Sequence, residues 1–366
     1  MIKQLKRFTV NMVAGANVAT VVLMLLVGFA DHLDPLQYPV LSTLGIVFPF
    51  LLVANLLFLF FWLTFKWRKA WIPLAGYALA YVPIHIYLPL SAYSDVDGEG
   101  VVKLLSYNVE GFSGAPRYDR KEGSERLVQY IRDAGADIVC LQEAHDGGHG
   151  VIERLDSIYA HRDSLSFGAN SMKTSLALFS RYPILRHERI DYPTVRNNGS
   201  VAWYLLVGSD TVLVVNNHLE SNRIPKKERD RYKSLLKGEM DEDTAKAESR
   251  HLLSLLSKAT AHRAPQAVAI HQYVESHRQY PILLCGDFND QPLSFSRRVI
   301  AQGLTDCFVA AGRGVGMSYN QKGFFFRIDH VMCSSHFQPL KCVVDDKIDA
   351  SDHYPVLCWL KMRDNI

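Results

Sequence analysis

The first 95 residues contain three long runs of apolar side chains that are separated by short polar segments. A helix needs about 20 apolar residues to cross the hydrocarbon core of a bilayer, and each run reaches that length. Pro73, Pro83 and Pro89 would kink the third run. The pattern predicts three transmembrane helices, at about residues 8–30, 42–65 and 70–92.

A cleaved signal peptide is the alternative interpretation of the first run. However, this run is long, lacks a small-residue cleavage site and is followed by two further apolar runs. We therefore favour a membrane anchor over residues 1–95.

Basic residues flank the runs asymmetrically. Three lie in residues 1–7 and three in 66–69, whereas 31–39 and 95–99 carry acidic residues and no Lys or Arg. Because basic loops remain in the cytoplasm, the N-terminus is predicted to be cytoplasmic. The chain is expected to be a multi-pass protein of the cytoplasmic (inner) membrane whose C-terminal part is extracytoplasmic, that is, periplasmic.

From residue 101, short apolar stretches alternate with amphipathic ones. The stretches 101–107, 137–142 and 282–285 are typical of strands, whereas 124–132 and 221–279 have helical patterns. Interleaved strands and helices over about 265 residues predict one two-sheet α/β domain. We assign this domain to residues 96–366.

Charge limits what this domain can do. Six of the 40 basic residues and three of the 37 acidic residues precede position 96, so the remainder is formally neutral. This balance excludes the strongly basic surface of a protein whose main task is to grip a nucleic-acid backbone, while it permits a local basic patch.

Acids, amides and imidazoles recur at the ends of the predicted strands. One such residue would be an ordinary cap or turn former. Such residues recur in six stretches of the chain, however, and this indicates a site, because strand ends project side chains to one rim of a sheet. The residues concerned are Asn108, Glu143, His218, Asp287, Asn289, Asp329, Asp352 and His353.

These residue types suit phosphoester hydrolysis. The oxygen ligands of Asn108, Glu143 and Asp352 favour Mg²⁺ or Mn²⁺ over Zn²⁺, since no His/Cys cluster has zinc spacing. Asp287 can accept a proton from water. A metal charge, a base and imidazole donors, here His218 and His353, are what a phosphoryl transition state requires.

Seven short motifs, in this order, resemble the endonuclease/exonuclease/phosphatase superfamily. The resemblance covers about residues 101–361 and implies a four-layered α/β-sandwich with metal-dependent phosphoester cleavage. The motifs are SYNVEG (106–111), DIVCLQE (137–143), SLALFSRYPI (175–184), NNHLES (216–221), GDFND (286–290), RIDHV (327–331) and SDHYPV (351–356).

The resemblance also implies roles for single residues. Asn108 and Glu143 match the first metal-site positions, and Asp352 matches the late metal carboxylate. Glu110 stands where some relatives carry Asp, so either a metal-site role or a solvent-facing acid is open.

The other matches concern catalysis. Asp287 and Asn289 match the acid and amide near the attacked phosphate, His353 a phosphate-contacting imidazole, and Asp329 the acid that orients it. His218 matches a position that is His in the deoxyribonuclease-like and sphingomyelinase-like branches and Tyr in abasic-site enzymes, which disfavours a DNA-repair function.

Two segments depart from the superfamily pattern or stay unassigned. Arg223–Lys237 holds seven basic residues and is interpreted as a solvated helical face or as a lid that attracts anionic headgroups. Phe324, Phe325 and Phe326 could contact lipid or a base, or enter the core.

Three functions remain open at this point. The first is a membrane-anchored Mg²⁺-dependent phosphodiesterase or phosphatase, whose substrate could be a lipid headgroup, a sugar phosphate or nucleic acid. The second is an extracytoplasmic nuclease, and the third a non-catalytic binding scaffold. The membrane is an expected partner, and no obligate protein partner is inferred.

Overall fold

A computed structural model describes the chain over six stretches. Arg223, Phe324 and Phe325 lie outside the described residues. The six stretches are 2–114, 118–145, 150–168, 174–222, 226–321 and 326–363.

The described stretches contain twelve strands in two six-stranded mixed sheets. The strands are β1 (Val101–Asn108), β2 (Ile138–Gln142), β3 (His161–Phe167), β4 (Thr174–Ser180), β5 (Ile184–Ile190), β6 (Gly199–Val207), β7 (Asp210–His218), β8 (Ile282–Asp287), β9 (Thr305–Asp306), β10 (Asp329–Cys333), β11 (Phe337–Val344) and β12 (Val356–Met362). The first sheet has the order β11-β12-β1-β2-β4-β3 and the second the order β5-β6-β7-β8-β10-β9.

Helices cover the outer face of each sheet. The described helices are α1 (Ile2–Gly28), α2 (Pro39–Thr43), α3 (Phe48–Phe65), α4 (Trp71–Leu79), α5 (Tyr81–Tyr87), α6 (Arg120–Ala134), α7 (Val151–Leu155), α8 (Lys226–Leu236), α9 (Glu242–Ser276), α10 (Phe295–Ile300) and α11 (Cys307–Ala311).

The core confirms the predicted four-layered α/β-sandwich. Leu104 of the first sheet and Trp203 and Leu283 of the second are fully buried in one cluster, so the two sheets pack face to face. Leu127 of α6 packs on the outer face of the first sheet. Ile270 of α9 does the same on the second sheet, which completes the order helix, sheet, sheet, helix.

Two of the described helical segments are long and apolar enough to cross a membrane, namely Lys3–His32 and Pro39–Phe65. Their outward side chains are apolar and exposed: Phe8, Phe50 and Leu57 are 60% or more exposed. Between α1 and α3, the Asn17 amide donates to Asn55 and the Trp62 indole donates to Asn17. Such buried polar contacts are typical of helix pairs in lipid.

The third predicted span, 70–92, is not among the candidate spans found in the described residues. This segment forms two short helices, α4 and α5, because Ala80 leaves the helical conformation and Pro83 has no N–H to donate to the preceding turn. The two helices still run beside α1, since Gly76 packs against Val21 and Pro83 against Gly28. The chain therefore returns towards the end of α1.

The helical region and the sandwich share contacts at that end. The Arg298 guanidinium donates to the carbonyl of Asp31, and the buried Arg327 donates to the carbonyl of Ile86 at 2.6 Å. Leu293 of the sandwich is fully buried in one cluster with Phe48 of α3. The segment between α1 and α3 thus lies on the sandwich, while residues 66–69 lie at the other end of α3, about 27 Å away for 18 residues.

Candidate active site

Parallel strands bring the predicted residues to one rim. β1 pairs with β2 so that Asn108 lies beside Gln142, and Glu143 follows directly. In the second sheet, β7 pairs with β8 so that His218 lies beside Asp287. Because the sheets pack face to face, these carboxyl ends meet: Nδ2 of Asn108 is 3.3 Å from Glu143 and 3.1 Å from Asp287.

Three residues at this rim, Glu110, Glu143 and Asn289, have strained backbones, and φ of Glu110 is 46°. Glu143 and Asn289 both have φ of 52°, in the left-handed region that favours glycine. The Asn289 conformation is fixed by its amide N–H, which donates to Asp287 at 2.7 Å, and by its side chain, which donates to the Leu219 carbonyl. Strain of this kind persists where the surroundings hold a side chain in one orientation, and it is frequent at active sites.

Asp287 lies at the centre of the cluster. Its Oδ2 atom is 3.7 Å from Nε2 of His218 and 3.7 Å from Nε2 of His353. Burial raises the pKa of Asp287 to about 6, with the charge of His353 opposing and that of Asp329 reinforcing the rise. A carboxylate with this pKa can accept a proton near neutral pH.

His353 is oriented by Asp329. Its Nδ1 atom lies 2.8 Å from Oδ2 of Asp329, so Nδ1 donates and Nε2 faces Asp287. Ser318 supports this arrangement, because its hydroxyl accepts from the backbone N–H of Asp329. Burial alone would lower the pKa of His353, but the carboxylates of Asp329 and Asp287 hold it well above its ordinary value. These carboxylates favour the protonated form of His353.

Carboxylates and an amide gather on the first-sheet side. The N–H of Glu110 donates to Oδ1 of Asn108, and Oε2 of Glu110 accepts from the N–H of Asp352. Burial, followed by the charge of Asp352 and more weakly that of Glu143, raises the pKa of Glu110 to about 7. This mutual repulsion among hard oxygen donors is what a divalent cation would relieve.

Three residues with metal-ligating atoms lie close together near Asn108. One atom each of Asp287, Asp329 and His353 lies within 4.8 Å of the others, and all three residues are buried. In this group Asp329 is already bonded to His353 and Asp287 to Asn289.

His218 has unused bonding capacity. Both of its ring nitrogens are buried and make no hydrogen bond within the described residues, although Nε2 is 3.5 Å from Glu143. A buried polar group without a partner is costly, so a substrate oxygen or a water is expected to fill this position.

Five of the eight predicted residues line one pocket, and the other three, Asn108, His218 and Asp329, lie beside Asp287 or His353 outside its lining. The individual roles of all eight stay predictions. The pocket has a volume of about 310 Å³ and includes Glu143, Asp287, Asn289, Asp352 and His353 in its lining.

Residues that the sequence did not reveal form other parts of the wall. Thr43 and Ile46 come from the segment between α1 and α3, and Leu252 and Leu256 come from α9. Their residue types are ordinary for helices and carry no local signal of a site. Only the packing of α2 and α9 brings them to the pocket.

The described part of the basic segment, 226–237, contains the whole of α8, which packs on α9. Arg231 pairs with Glu248 at 2.9 Å, and Tyr232 reaches the pocket lining. Phe326 also lines the pocket, so one of the three phenylalanines faces the site and not the core alone.

The fold is thus a four-layered α/β-sandwich that carries acids, amides and imidazoles at one rim. The sequence matches the profile of the Endonuclease/Exonuclease/phosphatase family over residues 105–353, which is more than half of the chain. The protein belongs to this family, whose members are generally phosphoester hydrolases that use divalent metals. Residues 10–87 match a domain of unknown function (DUF8431), and no curated protein matches the sequence.

Solved structures show the same fold. TDP2 from C. elegans is 17% identical, with 71% of this chain and 75% of that chain covered and a TM-score of 0.51. A Beutenbergia cavernae endonuclease/exonuclease/phosphatase is 16% identical, with 72% of each chain covered and a TM-score of 0.52. The human Nocturnin catalytic domain is 15% identical, with 73% and 96% covered and a TM-score of 0.51. At these identities the likeness concerns the fold alone.

Proposed function

We propose that this protein is a membrane-anchored, divalent-metal-dependent phosphodiesterase or phosphatase that hydrolyses a lipid phosphate ester outside the cytoplasm. One observation carries the proposal. The pocket that contains Asp287 and His353 is also walled by Thr43 and Ile46, which lie near the start of Pro39–Phe65, the second segment apolar enough to cross a membrane. The site therefore lies next to the end of the anchor.

Close packing supports this placement. A Cβ atom at Gly45 would lie 2.2 Å from the Gln291 amide and 2.5 Å from the Leu293 carbonyl, so the start of the second apolar segment touches the loop after β8. That loop follows Asp287 and Asn289 directly. A lipid phosphate at the membrane surface would be within reach without leaving the bilayer.

The donor set fits Mg²⁺ or Mn²⁺. Asn108, Glu143 and Asp352 would hold the ion, and Glu110 adds a further carboxylate beside them. The bound ion would offset the negative charge that develops on the phosphoryl oxygens.

The protein's own groups account for the remaining chemistry. Asp287 accepts a proton from water while the water oxygen bonds to phosphorus and the bond to the departing oxygen breaks. The departing oxygen takes a proton from solvent. His353 donates from Nε2 to a phosphoryl oxygen while Asp329 holds its Nδ1 atom, and His218 offers a second donor.

Orientation is proposed from charge. The basic residues at 66–69 lie at the end of α3 away from the sandwich, and those at 1–7 begin α1. Basic ends stay cytoplasmic, which would place residues 96–366 on the outer face of the cytoplasmic membrane. The division into an anchor, 1–95, and a catalytic domain, 96–366, belongs to the same proposal.

The test uses the full chain in lipid nanodiscs with Mg²⁺ or Mn²⁺. A phospholipid, an inositol phosphate and plasmid DNA are compared as substrates. We expect hydrolysis of the phospholipid, its loss in excess chelator and its return with either ion. Preferential cleavage of DNA would favour the nuclease alternative, and no hydrolysis of any phosphoester would contradict the proposal.

A further inference from the structure

Part of the pocket wall is apolar, beside polar lining residues such as Thr260, Arg263 and Gln291. Ile46 from the segment before α3 and Leu252 and Leu256 from α9 are all half-buried, so each keeps part of its surface open. Phe326 and Ile328 add apolar surface on the side of the sandwich. A phosphate site that served a small soluble ester would gain nothing from this surface, because apolar walls bind apolar groups.

The same surface continues along α3. Phe50, Val53 and Leu57 of α3 are spaced by three and four residues, so they follow one face of the helix, and Ile46 lies in the short 3-10 helix directly before it. Ile46 lines the pocket, whereas Phe50, Val53 and Leu57 are 60%, 55% and 65% exposed. An apolar stripe thus leads from the pocket onto the outward face of a segment long enough to cross a membrane.

The size of the pocket limits what it can hold. A volume of about 310 Å³ is at the small end of ligand pockets and cannot enclose a lipid with its chains. It can take a phosphate group and the first carbons attached to it. The rest of a chain would follow the stripe on α3 into the bilayer.

We propose that the wall formed by Ile46, Leu252 and Leu256 binds the first carbons of the hydrocarbon part of a membrane phospholipid whose phosphate lies at Asp287 and His353. This inference rests on the proposed function and narrows its substrate class to phosphate esters that carry a hydrocarbon chain. The wall selects the substrate by burying methylene groups, and the catalytic groups act on the phosphate.

The test measures binding of n-alkyl phosphonates, from methyl to hexyl, to the full chain in nanodiscs with Mg²⁺. Calorimetry gives each Kd, and empty nanodiscs are subtracted as a blank. A fully buried methylene would lower the Kd about fourfold. A wall on one side of the chain would bury about half of each methylene and so supply about half of that binding free energy. We therefore expect the Kd to fall about twofold per methylene, or about thirtyfold across the series.

Variants from both walls and a matched control assign the effect. Leu256→Gln and Ile46→Asn should each flatten the dependence on chain length, while Val268→Asp should keep it. Val268 lies on the same helix as Leu256, is 37% exposed and is outside the pocket lining. Two substitutions on separate segments guard against the loss of one variant through misfolding.

Two results would overturn the inference. One is a Kd that changes less than about twofold across the whole series in the unsubstituted protein. The other is an unchanged chain-length dependence in both Leu256→Gln and Ile46→Asn. If either occurred while phosphoesters were still hydrolysed, the proposed function would stand and the hydrocarbon site would not. Absence of all hydrolysis would remove both.

Discussion

Oδ2 of Asp287 lies 3.7 Å from Nε2 of His353, and both residues are more than nine-tenths buried. Burial raises the pKa of the acid to about 6, while neighbouring carboxylates raise the pKa of the imidazole. The site therefore keeps a proton acceptor and a cationic donor side by side near neutral pH. A reacting phosphate needs both.

The first prediction concerns these two side chains. Asp287→Asn and His353→Ala should each lower kcat by about a hundredfold or more, since general acid–base groups contribute roughly 10²–10⁴. Asp287→Asn keeps the shape of the side chain and should change folding little, whereas His353→Ala leaves the buried Asp329 without its partner and should lower the melting temperature. Steady-state kinetics and a melting curve check the two parts.

The double variant tests whether the pair acts as a unit. Groups that act together are not additive, so the combined loss should be much smaller than the product of the single losses. A fully multiplicative loss would show that Asp287 and His353 act independently.

Asp329 is expected to act through His353. Asp329→Asn removes the charge that raises the pKa of His353, so the imidazolium should lose its proton at a lower pH. If the reaction needs the cation, the alkaline limb of the pH–rate profile should move to lower pH, with kcat reduced about tenfold or more. An unshifted alkaline limb would exclude this positioning role.

The contact between anchor and catalytic loop gives a test with an internal control. Gly45→Ala places a Cβ 2.2 Å from the Gln291 amide, so the segment must move away from the loop after β8. Hydrolysis of a lipid in nanodiscs should fall several-fold. Gly15→Ala meets no atom within 4 Å and should be neutral. Equal activity of both variants would mean that the contact has no part in substrate access.

Much of the sandwich could be predicted from the sequence. The strands with buried apolar residues, such as β1 and β8, were predicted close to their observed bounds, because apolar runs that end in polar residues are distinctive. The edge strand β3, His161–Phe167, was missed because its first four residues are polar and only Leu165 and Phe167 are apolar. β11 was missed for a related reason, since Pro339 interrupts it.

The site residues were predictable because each follows or precedes a strand and strand ends share a rim. The rest of the pocket was not, since the position of Ile46 beside Leu256 depends on how α2 packs against α9. No local pattern encodes that packing. The third apolar run was expected to kink at its prolines, and the structure divides it into two short helices at Ala80, before Pro83.

The proposed orientation in the membrane rests on the basic residues at 1–7 and 66–69. A reporter that is active only outside the cytoplasm should be active when fused after Ile366 and inactive when fused at Arg68. A reporter of cytoplasmic folding should show the reverse pattern. Extracytoplasmic activity at Arg68 would contradict the orientation.

The most direct test of metal-dependent hydrolysis is a Mg²⁺ titration of two acid variants in parallel. Glu143→Gln removes one charge from the oxygen cluster, so its apparent Mg²⁺ affinity should weaken and saturating Mg²⁺ should restore part of its activity. Asp287→Asn removes the proton acceptor, and its defect should persist at every Mg²⁺ concentration. If saturating Mg²⁺ rescued Asp287→Asn as well as Glu143→Gln, Asp287 would be a metal ligand and the proposed division of roles would be wrong.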